Sequence, residues 1–443
     1  MEQLDVEIKE ATLVAPSEPT PTHILQLSAL DSQPFLRFTI EYLLVYPPCC
    51  DHDRTAIAAR LKDGLARALV AYYPLAGRVR PQASSSSSLE VVCQAQGAVF
   101  IEAVSNVRVY EFERAPHNPD HRRKFLALHV ADVLRGPPLV VQLTWLADGA
   151  AAVGVGISHC ICDGVGSGEF LNSWSEFVNG RRGLNGPWPK PVWNRHLLDP
   201  VQPSTRSVPH PEFERVPDLS RFSTRLARNR LTPTAICFNR GHLAELKKLA
   251  LRDKWFDSGR LLGRLGESSY TSFEVLAAHV WRCWVRAMGL ADRQIVRLLF
   301  SINARKRVEP SLPEGYYGNG FVLGCAQTTV KELREKGLGF AASLVRKAKE
   351  RVDDDYVRSV VEAVTESRAS PDSVGVLILS QWSRLALEKV DIGLGRPVHV
   401  GPICSDIYCL FLPVFNEDDA VKVMLAVPMS VVAKYERLLR NPK

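Results

Sequence analysis

The ten cysteines of this 443-residue chain include no CxxC pair, which removes the commonest signature of a structural zinc site or a dithiol redox centre. No apolar run reaches the roughly 18 residues that a membrane span needs. The opening MEQLDVEIKEATLV carries acids and lacks an apolar core, so it does not read as a secretory signal. The closing RLLRNPK matches no lipidation or retrieval signal. Lys and Arg never form a run of five or six, which argues against a nucleic-acid-binding surface. No internal repeat recurs at a period of about 20–50 residues. Scattered cysteines in such a chain read as reduced, buried thiols, and the expectation is a cytosolic monomer.

What is present is ordinary globular composition, 46% hydrophobic and 23% charged, with length for two or three domain-sized units. The net charge of +7 suits an anionic small ligand such as a polyphosphate cofactor. Over residues 54–72, Ile57, Leu61, Leu65 and Leu69 recur every four residues and predict a helix that Pro74 stops. The serine tract Ser84–Ser88 reads as a loop tip. Strands are expected at 139–146 and 150–158 around a turn at Ala147–Gly149. In the second strand Val153, Val155, Ile157 and His159 share a face, while Gly154, Gly156 and Ser158 on the other would admit another backbone. A helix follows with the stripe Phe170, Leu171, Trp174, Phe177 and Val178, ended by Gly180.

Residues 183–235 are proline-rich and aperiodic, and read as a long crossover between two halves, 1–182 and 236–443. Beyond it, TSFEVLAAHVWRCWVRAMG predicts a helix capped by Thr271 or Ser272. Strands are expected at 296–303, 374–380, 406–414 and 420–427, and a terminal helix over 428–440 with Pro428 at its start. Strands and helices intermixed in both halves define an α/β protein with a layered sheet in each half.

The sharpest local feature is ISHCICDGVGSG, residues 157–168. A histidine ends an apolar strand, an aspartate lies four residues on, and a glycine-rich turn opens a helix. A neutral imidazole accepts a proton at cellular pH, and a strand-end histidine beside such a turn could present one to a substrate as general base. The competing reading is a buried histidine with a purely structural hydrogen bond. His159, Cys160, Cys162 and Asp163 also offer zinc-capable atoms, but nothing elsewhere completes a four-ligand set, and no metal is expected. Cys160 or Cys162 as a nucleophile would need a depressed pKa and a separate base.

The order of these pieces resembles, end to end, the plant acyl-CoA-dependent acyltransferases known as the BAHD family. PTPTHILQLSALD opens the series at residue 19 and YYPLAGR follows at 72–78. HCICDG at 159–164 matches HxxxDG through His159, Asp163 and Gly164. SFEVLAAHVWR at 272–282, NARKRVEPSLPEGYYGNG from 303 and QWSRL at 381–385 come next, and DIGLGRP at 391–397 stands where the family has DFGWGKP.

The resemblance implies two chloramphenicol-acetyltransferase-like domains with a channel between them. It implies His159 at mid-channel as general base and direct attack of a hydroxyl or amine acceptor on the thioester of an acyl-CoA co-substrate, with no permanently bound cofactor. Asp163 would point away from substrate and pair with Arg305. Gly164 and Asp391 would support the site. Ser380 would face the acceptor, and Trp382 would either wall the acceptor pocket or sit in the core. Thr271 and Ser272 would either receive a CoA phosphate at their helix N-terminus or simply cap the helix. Ile392 and Leu394 replace the family's aromatic pair in the last motif, which leaves a non-catalytic accessory protein as the alternative function. A condensation domain would show a second histidine where Ser158 stands. The DIGLG variant with SDIYCLFLPV at 405–414 is similar to a subgroup associated with brassinosteroid-type sterol acceptors.

Overall fold

The computed structural model describes residues 6–48, 53–83, 85–112, 119–130, 132–181, 189–200, 208–258, 269–403, 408–415, 417 and 419–442. The first half lays down β1 (Val6–Val14), β2 (His23–Gln26), β3 (Thr39–Tyr46), β4 (Arg78–Gln82), β5 (Ser85–Cys93), β6 (Ala98–Ser105), β7 (Leu139–Trp145) and β8 (Ala151–Ser158). The second half supplies β9 (Leu231–Phe238), β10 (Ile295–Asn303), β11 (Phe321–Thr329), β12 (Val376–Gln381), β13 (His399–Pro402), β14 (Tyr408–Pro413) and β15 (Val421–Pro428). Two six-stranded mixed sheets result, ordered β1-β6-β7-β8-β3-β13 and β11-β10-β12-β14-β15-β9, with a small sheet β2-β5-β4 beside the first.

Strands β7 and β8 are buried along their whole length, as continuous apolar strands are when both sheet faces are covered. Helix Arg54–Ala71 buries Ile57, Leu61, Leu65 and Leu69 as its four-residue period predicts, and Asp53 caps it. It packs on helix Gly164–Val178 in one core. On the β8 face without large side chains, a Cβ at Gly154 would lie 2.0 Å from the Phe125 carbonyl oxygen. The glycine is what lets that backbone close over the sheet.

Four expectations need correction. Ser85–Ser88 belong to β5, where cross-strand pairing and an Arg37 Nη2 bond to the Ser87 carbonyl (2.8 Å) override the polar composition; Ser84 lies outside the described residues. The crossover does not stay irregular to 235, because β9 starts at Leu231 and pairs with β15 as the edge of the second sheet. Pro428 ends β15 instead of opening the last helix, which runs Val432–Arg440 after a short 3-10 turn. The second half also does not keep to one core. The chain from Trp382 to Ile403 packs in the first core, and β13 pairs antiparallel with β3, His399 opposite Val45. Residues 183–188, 201–207 and 406–407 of the expected crossover and strand lie outside the described residues.

Candidate active site

His159 is the first residue beyond β8. Its amide donates to the Phe38 carbonyl (2.9 Å), extending the β3–β8 ladder by one step. The ring lies edge-on to Phe38 (centroids 5.1 Å apart) and beside Phe321 (5.9 Å). Nδ1 is enclosed and makes no hydrogen bond, so the structural-histidine reading, which needs a satisfied ring, is not what the structure shows. Burial lowers the imidazole pKa from its ordinary value, and the carboxylates of Asp163 and Asp31 only partly oppose this. The ring is therefore neutral near pH 7 and competent to accept a proton.

Both carboxylate oxygens of Asp163 are bonded to other groups. Its Oδ2 and Oδ1 accept from Arg305 Nη1 (2.8 Å) and Nη2 (3.0 Å). Oδ1 also accepts the Gly166 amide, capping helix Gly164–Val178, and Oδ2 accepts the Gly320 amide, both at 3.0 Å. Burial alone would raise this carboxyl, but the Arg305 charge and these hydrogen bonds outweigh it and hold the pKa below its ordinary value. Arg305 completes its set with the carbonyls of Tyr316 (3.0 Å) and Gly318 (2.8 Å). The helix opened by Gly164 thus meets the 305–320 loop directly. A Cβ at Gly166 would sit 2.0 Å from the Tyr317 carbonyl oxygen, so no other residue keeps that approach.

Three residues that sequence reasoning did not single out complete the support. Asn319 Nδ2 donates to the His159 carbonyl (2.7 Å) and to Asp31 Oδ1 (2.8 Å). Asp31 Oδ2 lies 3.2 Å from Arg195 Nε, and the two side chains are 0% and 2% exposed. Arg195 Nη2 donates to the Ile161 carbonyl (2.7 Å), and its guanidinium lies 4.2 Å from the Trp193 ring centroid. The turn carrying His159 is thereby held from both halves and from the crossover. The one available signal was Ser28-x-x-Asp31, whose reciprocal capping bonds fix Asp31 in place.

The remaining candidates lie as follows. Trp382 packs in the first core on Tyr42 (ring centroids 4.9 Å apart), and Ser380 is half-buried on β12 opposite Leu410. Thr271 accepts the Glu274 amide while Glu274 accepts the Thr271 amide, so this helix end, with Ser272 in its first turn, is closed by its own acid. Arg346 and Lys349 neutralise Glu274. Asp391 Oδ1 accepts the amides of Gly393 (2.8 Å) and Gly395 (3.0 Å), and its carbonyl accepts from Ser175 Oγ (2.7 Å). Burial pushes the Cys160 and Cys162 thiols up to about 12, which removes the thiolate a nucleophile needs. Among the described residues no cluster of three His, Cys, Asp or Glu could hold a metal ion, and no helix is long and apolar enough to cross a membrane.

A two-sheet fold with a neutral histidine at the end of a central strand, on a turn pinned by a buried Asp–Arg pair, defines an acyl-CoA-dependent acyltransferase of the HxxxD type. The chain belongs to the Transferase family, which matches residues 4–438. It is 32% identical over 438 residues to the Arabidopsis thaliana omega-hydroxypalmitate O-feruloyl transferase, covering 98% of this chain and 92% of that one. It is 30% identical over 444 residues to the Arabidopsis thaliana fatty alcohol:caffeoyl-CoA acyltransferase, covering 99% and 98%. Its fold matches the crystal structure of vinorine synthase with a TM-score of 0.72 at 21% identity, over 97% of this chain and 96% of that one.

Proposed function

We propose that this chain moves a hydroxycinnamoyl-type acyl group from its CoA thioester to the hydroxyl of a long-chain apolar alcohol, with His159 as general base. The observation that carries this reading is the His159 ring, kept neutral by burial and set between the apolar faces of Phe38 and Phe321. The imidazole takes the acceptor's hydroxyl proton as the oxygen attacks the thioester carbonyl. The C–S bond breaks, and the imidazolium returns its proton to the departing CoA thiolate, leaving ester and free CoA. The attack is direct, and burial, which pushes the Cys160 and Cys162 thiols up to about 12, counts against either as the nucleophile of an acyl-enzyme. Asp163, Arg305, Asn319 and the Asp31–Arg195 pair hold the turn that aims the ring. The feruloyl and caffeoyl donors and the fatty acceptors named for the two relatives support the choice of substrates. Mass spectrometry of products over a panel of acyl-CoAs and alcohols, with a brassinosteroid-type sterol included, tests the reading. Ester formation dependent on His159 is expected with hydroxycinnamoyl-CoA and fatty alcohols. CoA binding without any ester or amide product would leave an accessory protein as the answer.

A further inference from the structure

Among the described residues, Glu212 is an enclosed carboxylate that the transfer chemistry leaves unused. Glu212 lies on the crossover with 1% of its side chain exposed. Its Oε1 accepts from the Tyr356 hydroxyl (2.6 Å) and lies 3.0 Å from His210 Nδ1, while His210 Nε2 meets Ser359 Oγ at 2.8 Å. Its Oε2 is equally enclosed and has no hydrogen-bond partner. Leaving such an oxygen unpaired is costly, and in a folded protein that calls for a reason.

Glu212 also lines a narrow cavity together with Gln33, Phe35, Phe213, Phe321 and Leu323. The space admits about one water-sized group, which is the size of a hydroxyl. Phe321 belongs to both places, because its ring also stands 5.9 Å from the His159 ring. Phe321 thus stands between the base and the cavity, and a molecule that reached past this ring from the base would meet an unpaired carboxylate oxygen.

We propose that this cavity is the far end of the acceptor site. Glu212 Oε2 accepts a hydrogen bond from a second hydroxyl there, so the preferred acceptors are diols. The inference rests on the acyl-transfer reading above. A mono-alcohol leaves Oε2 unpaired, and an acceptor ending in a carboxylate forces two carboxyl groups together in an enclosed site. Sites built to bond a substrate hydroxyl discriminate strongly against analogues that lack it.

The test compares kcat/KM for a long-chain α,ω-diol, the mono-alcohol and the ω-hydroxy acid of equal length, all with one acyl-CoA. The wild-type protein is expected to favour the diol over the mono-alcohol by at least about tenfold, with the hydroxy acid lowest. In Glu212→Leu the diol-to-mono-alcohol ratio should collapse toward one. Should that variant melt early, the isosteric Glu212→Gln serves in its place, and there the hydroxy acid should gain on the diol by at least about tenfold. Ratios unchanged from wild type in a folded variant overturn the subsite. Wild-type turnover of none of the three acceptors overturns the acyl-transfer reading itself, a different result from turnover without discrimination.

Discussion

The guanidinium of Arg305 meets the carboxylate of Asp163 twice, Nη1 to Oδ2 at 2.8 Å and Nη2 to Oδ1 at 3.0 Å, and both side chains are largely enclosed. The two arms of this clasp come from different halves of the chain. It binds the helix N-terminus after β8 to the loop that follows β10.

Removing either arm leaves the other charge buried and alone. Asp163→Ala should lower stability by about 3–5 kcal/mol, and Arg305→Met should cost about as much. The double variant should lose clearly less than the sum, because the two changes remove one interaction. The Asp163 carboxyl is held below its ordinary value of 3.8. Its contribution is thus complete above that pH and is lost as pH falls through the lower folded value. Chemical denaturation at neutral pH reads all three variants, and an unchanged midpoint in Asp163→Ala would count against the clasp.

His159→Ala should reduce kcat by about 10²–10⁴-fold while the melting temperature stays near wild type, because the ring that is lost leaves Nδ1 without a hydrogen bond. In the wild-type protein the acid limb of kcat/KM should inflect below 6.5, since burial lowers the imidazole pKa from that value. Activity is full above the inflection, where the ring is neutral, and falls below it as the base is protonated. An inflection well above 6.5 would mean that some other group sets the profile.

The parts of this site nearest to one another in the chain were the legible ones. The apolar alternation of 153–159 and the glycine turn placed His159 at a strand end, and the family order of motifs joined Asp163 to Arg305. The Asp31–Arg195 pair was not legible, because a buried ion pair between a short helix and a crossover has no periodicity to betray it. The return of β13 to the first sheet was hidden for a similar reason. His399–Pro402 is four residues long and contains both glycine and proline, and its partner β3 lies near the other end of the chain. The serine tract misled because loop composition was read without the partner strand that pairs with it.

Asn319 acts through a backbone atom of the base, so its loss should show in the base's behaviour and not only in stability. Its amide holds the His159 carbonyl and also favours the protonated ring. Asn319→Ala should lower kcat by about tenfold, with a smaller change in the KM for acyl-CoA. It should also move the acid limb of the pH profile to lower pH. A merely structural residue would lower the melting temperature and leave that limb where it is, and this result would remove Asn319 from the positioning role.

The DIGLG turn offers the sharpest test of whether this chain's departure from its family is damage or design. Ile392 is 0% exposed and Leu394 8%, both within the first core. The turn between them is fixed: Gly393 and Gly395 have φ of 84° and 83°, and both donate to Asp391 Oδ1. Asp391 is tied in turn to Ser175, eleven residues along helix Gly164–Val178 from its start. At 1.5 Å per residue that is about 16 Å from the end of the helix that adjoins the base. Both side chains are enclosed at their present size, so the Ile392→Phe, Leu394→Trp double variant should overpack the core and cost about 1–3 kcal/mol. It should not raise kcat, because the turn touches no reacting atom. Denaturation midpoint and turnover are both measured on the same preparation. A double variant that is more stable and markedly faster would show that the native turn is a degraded one, and would move the balance toward an accessory protein that has lost catalytic efficiency.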